Sequence, residues 1–360
     1  MKQLRICFAS GLSIAGAERQ TASLAKILSQ QHDVVLVGLA RKEDKVDLTG
    51  WEGLQLEVVR FEMGYHNYLV LAHLALLRKL RQLQPDVCIQ RAVGDATGFV
   101  GTSCRIIHSR FIYHSASNLD ANPRLTLWLS PSPISLLYYS VGLLLADVIV
   151  AQTHEIASQF RRKFLGTKHV AIVPQVYDAS AVKVPREKGD FVFWLARLVW
   201  YKRPDLFLKL AEALPEVHFV MAGGGPLETE IARRSSLLRN VTFLGPVTHE
   251  YAERLCGRAK AFVNTSVIEG FPNTLLEAGA RETPYVSLQY DPDGLICNRK
   301  IGFHSRSFAS LIDDVRQVVH DDQLRARLGR NARKYVLEEH SPQLALKAYS
   351  KILDSLPTRR

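Results

Sequence analysis

The feature that most constrains this chain is a repeated alternation in which short, continuously apolar, β-branched runs are separated by stretches with helical spacing. Runs at residues 4–10, 33–39, 54–61, 86–91, 109–115, 147–152 and 169–174 open the pattern, with helical stretches such as 17–30 and 67–84 between them. Strands that are apolar throughout, rather than at every second residue, belong to parallel sheets covered on both faces. The succession of β/α units therefore predicts a doubly wound α/β domain. Around residues 176–190 the periodicity gives way to charge and one proline, as expected of a linker. The pattern then restarts at 190–196, 216–222, 240–245, 260–266 and 284–288, and residues 307–356 read as helices only, with Ser341 as a cap and Pro342 opening the last one. For 360 residues the expectation is two doubly wound parallel-sheet domains facing across a cleft. Their boundaries are 1–178, a linker at 179–189, 190–338, and a C-terminal helix at 339–360 packing back toward the first domain.

Composition narrows the function classes. Hydrophobic residues at 47% and charged residues at 22% exclude a disordered chain. The five cysteines (7, 88, 104, 256 and 297) form no C-x-x-C pair, so they read as small buried hydrophobes in a reducing compartment, not as a zinc cage or disulfide framework. The first eleven residues read as a strand, not a secretory leader. Leu136–Ala151 is apolar but contains Asp147 and is too short to cross a membrane, and a buried helix running into a strand accounts for it. The net charge of +11 suits phosphate-bearing substrates or an anionic membrane surface. Nucleic acid is not expected as a partner, because no zinc finger, RNA-binding aromatic motif or basic tail is present. Arg78, Lys79 and Arg81 lie among leucines, and Arg161, Arg162 and Lys163 lie near Phe160 and Phe164. Such basic amphipathic helices suit anionic lipid, with a solvated helix face as the alternative.

In open parallel sheets, ligands bind beyond the carboxyl ends of the strands. The residues at those ends are Ser10 to Gly16, Arg91, Gly94 and His114 in the first domain, and Arg197, Gly223 to Gly225 and Thr265 to Glu269 in the second. Gly11 and Gly16 have P-loop glycine spacing, but Ala17 and Glu18 replace the lysine and hydroxyl residue, which excludes that type of ATP hydrolysis. Gly223-Gly224-Gly225-Pro226 fails as a dinucleotide fingerprint because Glu228 occupies the third glycine position. Both loops remain either tight strand-to-helix turns or backbone contacts to a phosphate.

The segment from Val267 to Leu288 is more specific. Glu269 lies in a loop, Gly270 and Pro272 shape the turn, and Glu277 lies about one turn into the following helix. Backbone N–H groups of Phe271, Asn273 and Thr274 would point at an anion, and Glu277 at neutral hydroxyls beside it. A phosphate flanked by carboxylate-held hydroxyls describes a sugar nucleotide.

At these residues the sequence resembles the GT-B glycosyltransferases of family 4, whose E-x7-E element is typically EGFPxxLLEA; here it reads EGFPNTLLEA. Arg197 and Lys202 in ARLVWYKRPD stand at that family's arginine–lysine pair, Gly223, Gly225 and Pro226 at its GxGP turn, and an AGAER-like loop lies near the N-terminus. The resemblance covers essentially the whole chain. It implies two Rossmann-like domains and a retaining, hexosyltransferase-type enzyme in cell-surface polysaccharide synthesis. The donor nucleotide sugar would bind the second domain, and a glycan or lipid-linked acceptor mainly the first. It implies no cofactor or required metal, and a cytoplasmic protein peripheral to the inner face of the membrane.

Carried over residue by residue, Arg197 and Lys202 would hold the diphosphate, Glu269 the donor sugar and Glu277 the ribose, while Gly16 would approach the diphosphate from the other domain. Gly223, Gly225, Gly270, Phe271, Pro272, Asn273 and Thr274 complete the donor set. His114 matches a histidine close to the transferred sugar, with a buried structural histidine as the alternative. Arg91 is a candidate for an acceptor phosphate or carboxylate, against a surface ion pair, and Asp120 or Asp95 for assisting acceptor deprotonation. Three departures stand out. Ala15 replaces a common glycine, Pro174-Gln175-Val176 lacks the asparagine and glycine of the hinge, and Asp291-Pro292-Asp293 has D-x-D spacing in what is expected to be a proline-stiffened loop, with Gly294 near the donor sugar. Two rivals on the same fold, a nucleotide-sugar epimerase and a non-catalytic binding scaffold, are disfavoured by the EGFPNTLLEA context and by the presence of both Lys202 and Glu269.

Overall fold

The computed structural model describes residues 3–11, 16–41, 51–61, 68–122 and 132–356. Residues 12–15, including Ala15 of the AGAER-like loop, lie outside them. The chain divides into two compact units, residues 1–176 with 342–360, and residues 177–341.

The first unit is a seven-stranded parallel sheet in the order β3-β2-β1-β4-β5-β6-β7. Its strands are β1 (Arg5–Gly11), β2 (Asp33–Arg41), β3 (Gln55–Phe61), β4 (Val87–Arg91), β5 (Arg110–His114), β6 (Val148–Ala151) and β7 (His169–Ile172). Each apolar run expected to be a strand is one, and β4, β5 and β6 are buried at every residue, as both-face coverage requires. The covering helices are α1 (Gly16–Leu28), α2 (Tyr68–Leu83), α3 (Asp95–Ile107), α4 (Pro133–Leu145), α5 (His154–Lys163) and the last helix of the chain, Pro342–Ser355. That last helix sends Tyr349, Ile352 and Leu353 into the same core as Ile6, Phe8 and Leu36. At the end of the unit, Gln20 donates to the Val176 carbonyl and accepts from its N–H, both at 3.0 Å, so the segment that lacks the expected asparagine and glycine is held by a side-chain amide.

The second unit has six parallel strands in the order β10-β9-β8-β11-β12-β13. They are β8 (Val192–Leu195), β9 (Phe219–Ala222), β10 (Val241–Phe243), β11 (Ala261–Asn264), β12 (Tyr285–Ser287) and β13 (Gly302–His304). Its helices are α6 (Pro204–Ala213), α7 (Glu228–Ser235), α8 (His249–Arg258), α9 (Asn273–Gly279), α10 (Leu295–Asn298), α11 (Phe308–His320) and α12 (Asp322–Glu339). In both sheets the strand order reverses once, at β1/β4 and at β8/β11, and crevices open beyond the carboxyl ends at such reversals.

Four expectations need correction. The stretch 179–189 is not a free linker. Ala179 lies in the core of the second unit, and the Lys188 ammonium donates to the carbonyls of Gly257 and Arg281 and to Thr283 Oγ1 at 2.7–3.1 Å. Three oxygens satisfy a charge that reads as solvated in sequence, and burial lowers its pKa to about 8. Strand β13 was not expected; it pairs residue for residue with β12, so closely that a Cβ on Gly302 would fall 1.8 Å from the Tyr285 carbonyl oxygen. Helix α4 is buried on one side only, because Ile134, Leu137 and Leu144 are 56–62% exposed. Cys297 is exposed, whereas the other four cysteines are buried.

Helices α3 and α4 pack backbone to backbone. A Cβ on Gly142 would lie 2.3 Å from the Thr97 carbonyl oxygen and 2.7 Å from the Gly98 nitrogen, neither of which can swing aside. Gly142→Ala is therefore expected to cost about 1–3 kcal/mol of stability by forcing the helices apart. A urea unfolding curve with an unchanged midpoint would contradict this packing.

Candidate active site

In the second unit the site begins where β8 ends. Arg197 is exposed in the turn after it, and one turn of 3-10 helix, Trp200–Lys202, follows. That turn is fastened to the segment after β11, the neighbouring strand across the reversal. Thr265 Oγ1 donates to the Lys202 carbonyl at 2.7 Å while accepting from Trp194 Nε1 at 2.9 Å, and the Val267 N–H donates to the Tyr201 carbonyl at 2.9 Å. The fastening sets Lys202 Nζ 2.5 Å from Glu269 Oε1, with the two side chains 18% and 14% exposed. The structure thus joins in one ion pair the lysine and the glutamate that the sequence assigned separately to the diphosphate and to the sugar. At such low exposure each charge needs the other until a ligand replaces it.

The glycines serve this geometry. Gly223 (φ +142°) and Gly225 (φ +147°) let the turn after β9 lie against the arginine loop, since Cβ atoms there would meet the Ala196 oxygen at 2.0 Å and the Leu198 oxygen at 2.8 Å. Close packing alone explains both. Beyond Glu269, Gly270 is buried and its carbonyl accepts from the Tyr290 hydroxyl. Phe271 turns its ring into the core against His340, with centroids 5.0 Å apart, and Pro272 precedes α9, which opens at Asn273. Thr274 Oγ1 sits 3.3 Å from Tyr285 OH. Glu277 is only 6% exposed, which excludes a surface salt bridge as its role. One polar group here escaped the sequence reading. Asn264, at the end of β11, accepts from the Ser266 N–H through Oδ1, and its buried Nδ2 has no partner among the described residues. Its signal in sequence was only a polar residue closing an apolar strand.

In the first unit the residues at the carboxyl ends of β4 and β5 meet, because Arg91 and His114 are register partners. Arg91 is buried, not a surface ion pair, and burial pushes its pKa down to about 10 despite Glu18, Asp120 and the Tyr349 hydroxyl nearby. Its Nε has no partner among the described residues. Burial and then the Arg91 charge push the His114 imidazole well below its ordinary range, so it is neutral at pH 7. Its Nδ1 lies 2.7 Å from Tyr349 OH of the last helix, and its Nε2 is unpartnered among the described residues, as are Glu18 Oε2 and Asp95 Oδ1. Several buried polar atoms at the carboxyl ends of neighbouring strands and the helices after them thus lack a partner among the described residues. Gly16 is the exposed first residue of α1 at the same edge.

Asp120 is buried in the same unit. Its carboxylate accepts from Tyr113 OH at 2.7 Å, the Ala116 N–H at 2.7 Å and Ser117 Oγ at 2.8 Å, and its backbone carbonyl accepts from Tyr139 OH at 2.6 Å. It braces the loop after β5, and burial raises its pKa against these donors.

Residues 178–335 match the family model described as Glycosyl transferases group 1. An α-1,4-N-acetyl-D-galactosaminyltransferase of Campylobacter jejuni, named for an undecaprenol-diphosphate-linked glycan acceptor, is 26% identical over 90% of both chains. A poly(ribitol-phosphate) α-N-acetylglucosaminyltransferase of Staphylococcus aureus is 28% identical over 45% of this chain, and the match spans only 34% of that protein's length. Among solved structures, S. aureus TarM with UDP and α-GlcNAc-glycerol superposes with a TM-score of 0.79 at 14% identity, over 98% of this chain and 100% of that one. Anabaena HepE with UDP and glucose gives 0.78 at 15% identity with the same coverage. Two Rossmann-like parallel-sheet units with these likenesses give the chain the GT-B fold. Within that fold, the likeness to glycosyl transferases group 1 lies in residues 178–335, which make up most of the second unit.

The buried histidine yields a test. As pH falls through about 6.5 the unfolded chain takes up a proton at this residue, whereas folded His114 remains neutral. Its contribution to stability is therefore present above that pH and is lost as pH falls toward the depressed folded value. His114→Gln should make stability fall less steeply than wild type between pH 7 and pH 5.5, read by urea unfolding at the two values. Parallel pH dependences would show that His114 is accessible to protons.

Proposed function

We propose that this protein is a retaining glycosyltransferase that moves a sugar from a nucleotide sugar to a glycan or lipid-linked acceptor in cell-surface glycan synthesis. The observation that carries the reading is the partly buried Lys202–Glu269 pair, set at the strand-order reversal beside the EGFPNTLLEA loop. A nucleoside diphosphate brings two or more negative charges against the single charge of Glu269, so it can draw the ammonium toward itself. Glu269 is then released to the hydroxyls of the donor sugar. As the glycosidic bond breaks, the departing diphosphate gains charge, and Lys202 with Arg197 stabilises it where it develops. These cations take the place of a metal.

Glu277, in the helix beyond, holds the ribose. In the first unit, neutral His114 offers a hydrogen bond to a sugar hydroxyl, and Arg91 offers its unpartnered Nε–H to an anionic acceptor group. The Campylobacter and staphylococcal relatives are named for acceptors that carry phosphate, which supports that assignment.

No described helix is long and apolar enough to cross a membrane. We place the protein peripherally on an anionic membrane surface, because Ile134, Leu137 and Leu144 form an exposed apolar stripe on α4 and Arg161 and Arg162 end α5. Partitioning onto anionic vesicles that reverses with salt is the expected behaviour, and equal binding to neutral vesicles would contradict it.

Lys202→Ala is expected to lower turnover roughly 10²- to 10³-fold with the fold intact, the scale for one fixed donor facing developing charge. Near-normal transfer by this variant would remove the diphosphate assignment. The two glutamates should separate in steady-state kinetics. The ring that Glu269 touches becomes cation-like in the transition state, so Glu269→Gln should mainly lower kcat. The ribose changes little, so Glu277→Gln should mainly raise the donor KM. The reverse split would exchange their roles.

A further inference from the structure

Outside the donor loop, the carboxyl end of β12 and strand β13 gather three different metal-binding side chains. One ligand atom each from Asp291, Cys297 and His304 lies within 4.8 Å of the other two. The arrangement is built by the backbone. Asp293 (φ +52°) and Gly294 (φ +70°) adopt successive left-handed conformations, turning the chain so that α10 brings Cys297 back over Asp291. Asp291 Oδ1 accepts from the Ile296 N–H at 2.7 Å, which fixes the carboxylate and leaves Oδ2 facing the cluster. His304 comes from the end of β13, where Ser287 is its register partner, and its Nδ1 stands 3.8 Å from Asp291 Oδ2. The Asp291 side chain is 4% exposed and that of His304 15%, while Cys297 opens to solvent and gives an ion a way in.

We propose that Asp291, Cys297 and His304 bind a thiophilic divalent cation of the zinc class. Oxygen, sulfur and nitrogen donors together suit zinc or cobalt and not magnesium or calcium, which demand oxygen shells. Ligand atoms around tetrahedral zinc stand about 3.3–3.7 Å apart, as follows from bond lengths of about 2.0–2.3 Å. The cluster reaches that spacing with side-chain shifts of about an ångström or less. Cys297 Sγ lies within 4.8 Å of the Asp291 and His304 ligand atoms, so an ion entering between them takes the place of the thiol proton. Binding releases the proton to solvent and leaves the thiolate on the metal. Arg306 Nε, 3.4 Å from His304 Nδ1, must swing outward, which its exposed position allows. Water completes the fourth position.

The placement gives the ion a task. Asp291 directly follows Tyr290, whose hydroxyl holds the Gly270 carbonyl of the EGFPNTLLEA loop, and the Tyr290 carbonyl accepts from Ser287 Oγ at 2.6 Å. A metal joining residues 291, 297 and 304 stiffens the support on which that loop rests. It lies on the loop's far anchor, so transfer proceeds without it.

The test uses the full chain, stripped with a chelator and titrated with cobalt(II) and then zinc. One cobalt per chain with a thiolate-to-cobalt charge-transfer band is expected, with displacement by zinc and at least tenfold slower alkylation of Cys297 in the zinc-loaded protein. Cys297→Ser, at an exposed position, should lose the band while keeping the circular dichroism of wild type. His304→Ala should lose stoichiometric binding, whereas Asp293→Asn should retain it. Absence of the band and of alkylation protection in the wild-type chain would overturn the proposal, as would undiminished zinc binding by both Cys297→Ser and His304→Ala.

Discussion

The contact between Lys202 and Glu269 is the interaction around which the second unit is organised. It joins the turn after β8 to the segment after β11, the two strands where the sheet order reverses. A salt bridge this sheltered is costly to form unless geometry prepares it. Preparation comes from the Trp194–Thr265–Lys202 hydrogen-bond chain and from glycines that admit the β9 turn beside the arginine loop. An ion pair made in this way holds a cation at a fixed position, which under the proposed function serves a ligand that carries more negative charge than its resting partner.

The first unit solves a different electrostatic problem. It keeps an arginine and a histidine almost out of water, side by side, with nitrogen atoms unmatched. The mutual effect of burial and like charge leaves the imidazole neutral, while the guanidinium, with a pKa still near 10, stays charged. One neutral and one charged donor at the same sheet edge can distinguish a hydroxyl from an anion. The last helix is integral to this arrangement, since Tyr349 both fills the core and meets His114 Nδ1. Loss of that helix would leave the histidine open to protons.

Much of this was legible in the sequence because parallel strands buried on both faces leave continuous apolar runs, and twelve of the thirteen strands among the described residues announced themselves that way. β13 did not, since Gly-Phe-His is three residues long and carries only one apolar side chain. Lys202 and the EGFPNTLLEA segment were legible as ordered motifs, but the pairing of Lys202 with Glu269 was not. Sixty-seven residues separate Lys202 from Glu269, and only the sheet order makes them neighbours. The charged stretch 179–189 misled because a lysine satisfied by carbonyls reads like a lysine in water. The bracing of Asp120 was equally hidden, since its donors come from Tyr113, Ala116 and Ser117 and include a backbone N–H that no sequence pattern displays. The cysteines read alike in composition, and only the turn at Asp293 and Gly294 sets Cys297 apart.

If the resting ion pair competes with the ligand for one ammonium, the two partners must affect nucleotide affinity in opposite directions. Calorimetric titration of wild type, Lys202→Met, Glu269→Gln and the double variant measures this directly, using whichever of UDP, GDP and ADP the wild type binds best. The account predicts weaker binding by Lys202→Met, tighter binding by Glu269→Gln, and no gain from Glu269→Gln once Lys202 is gone. Glu269→Gln weakening the nucleoside diphosphate as much as Lys202→Met would contradict it, because the pair would then be a structural strut and not a held cation.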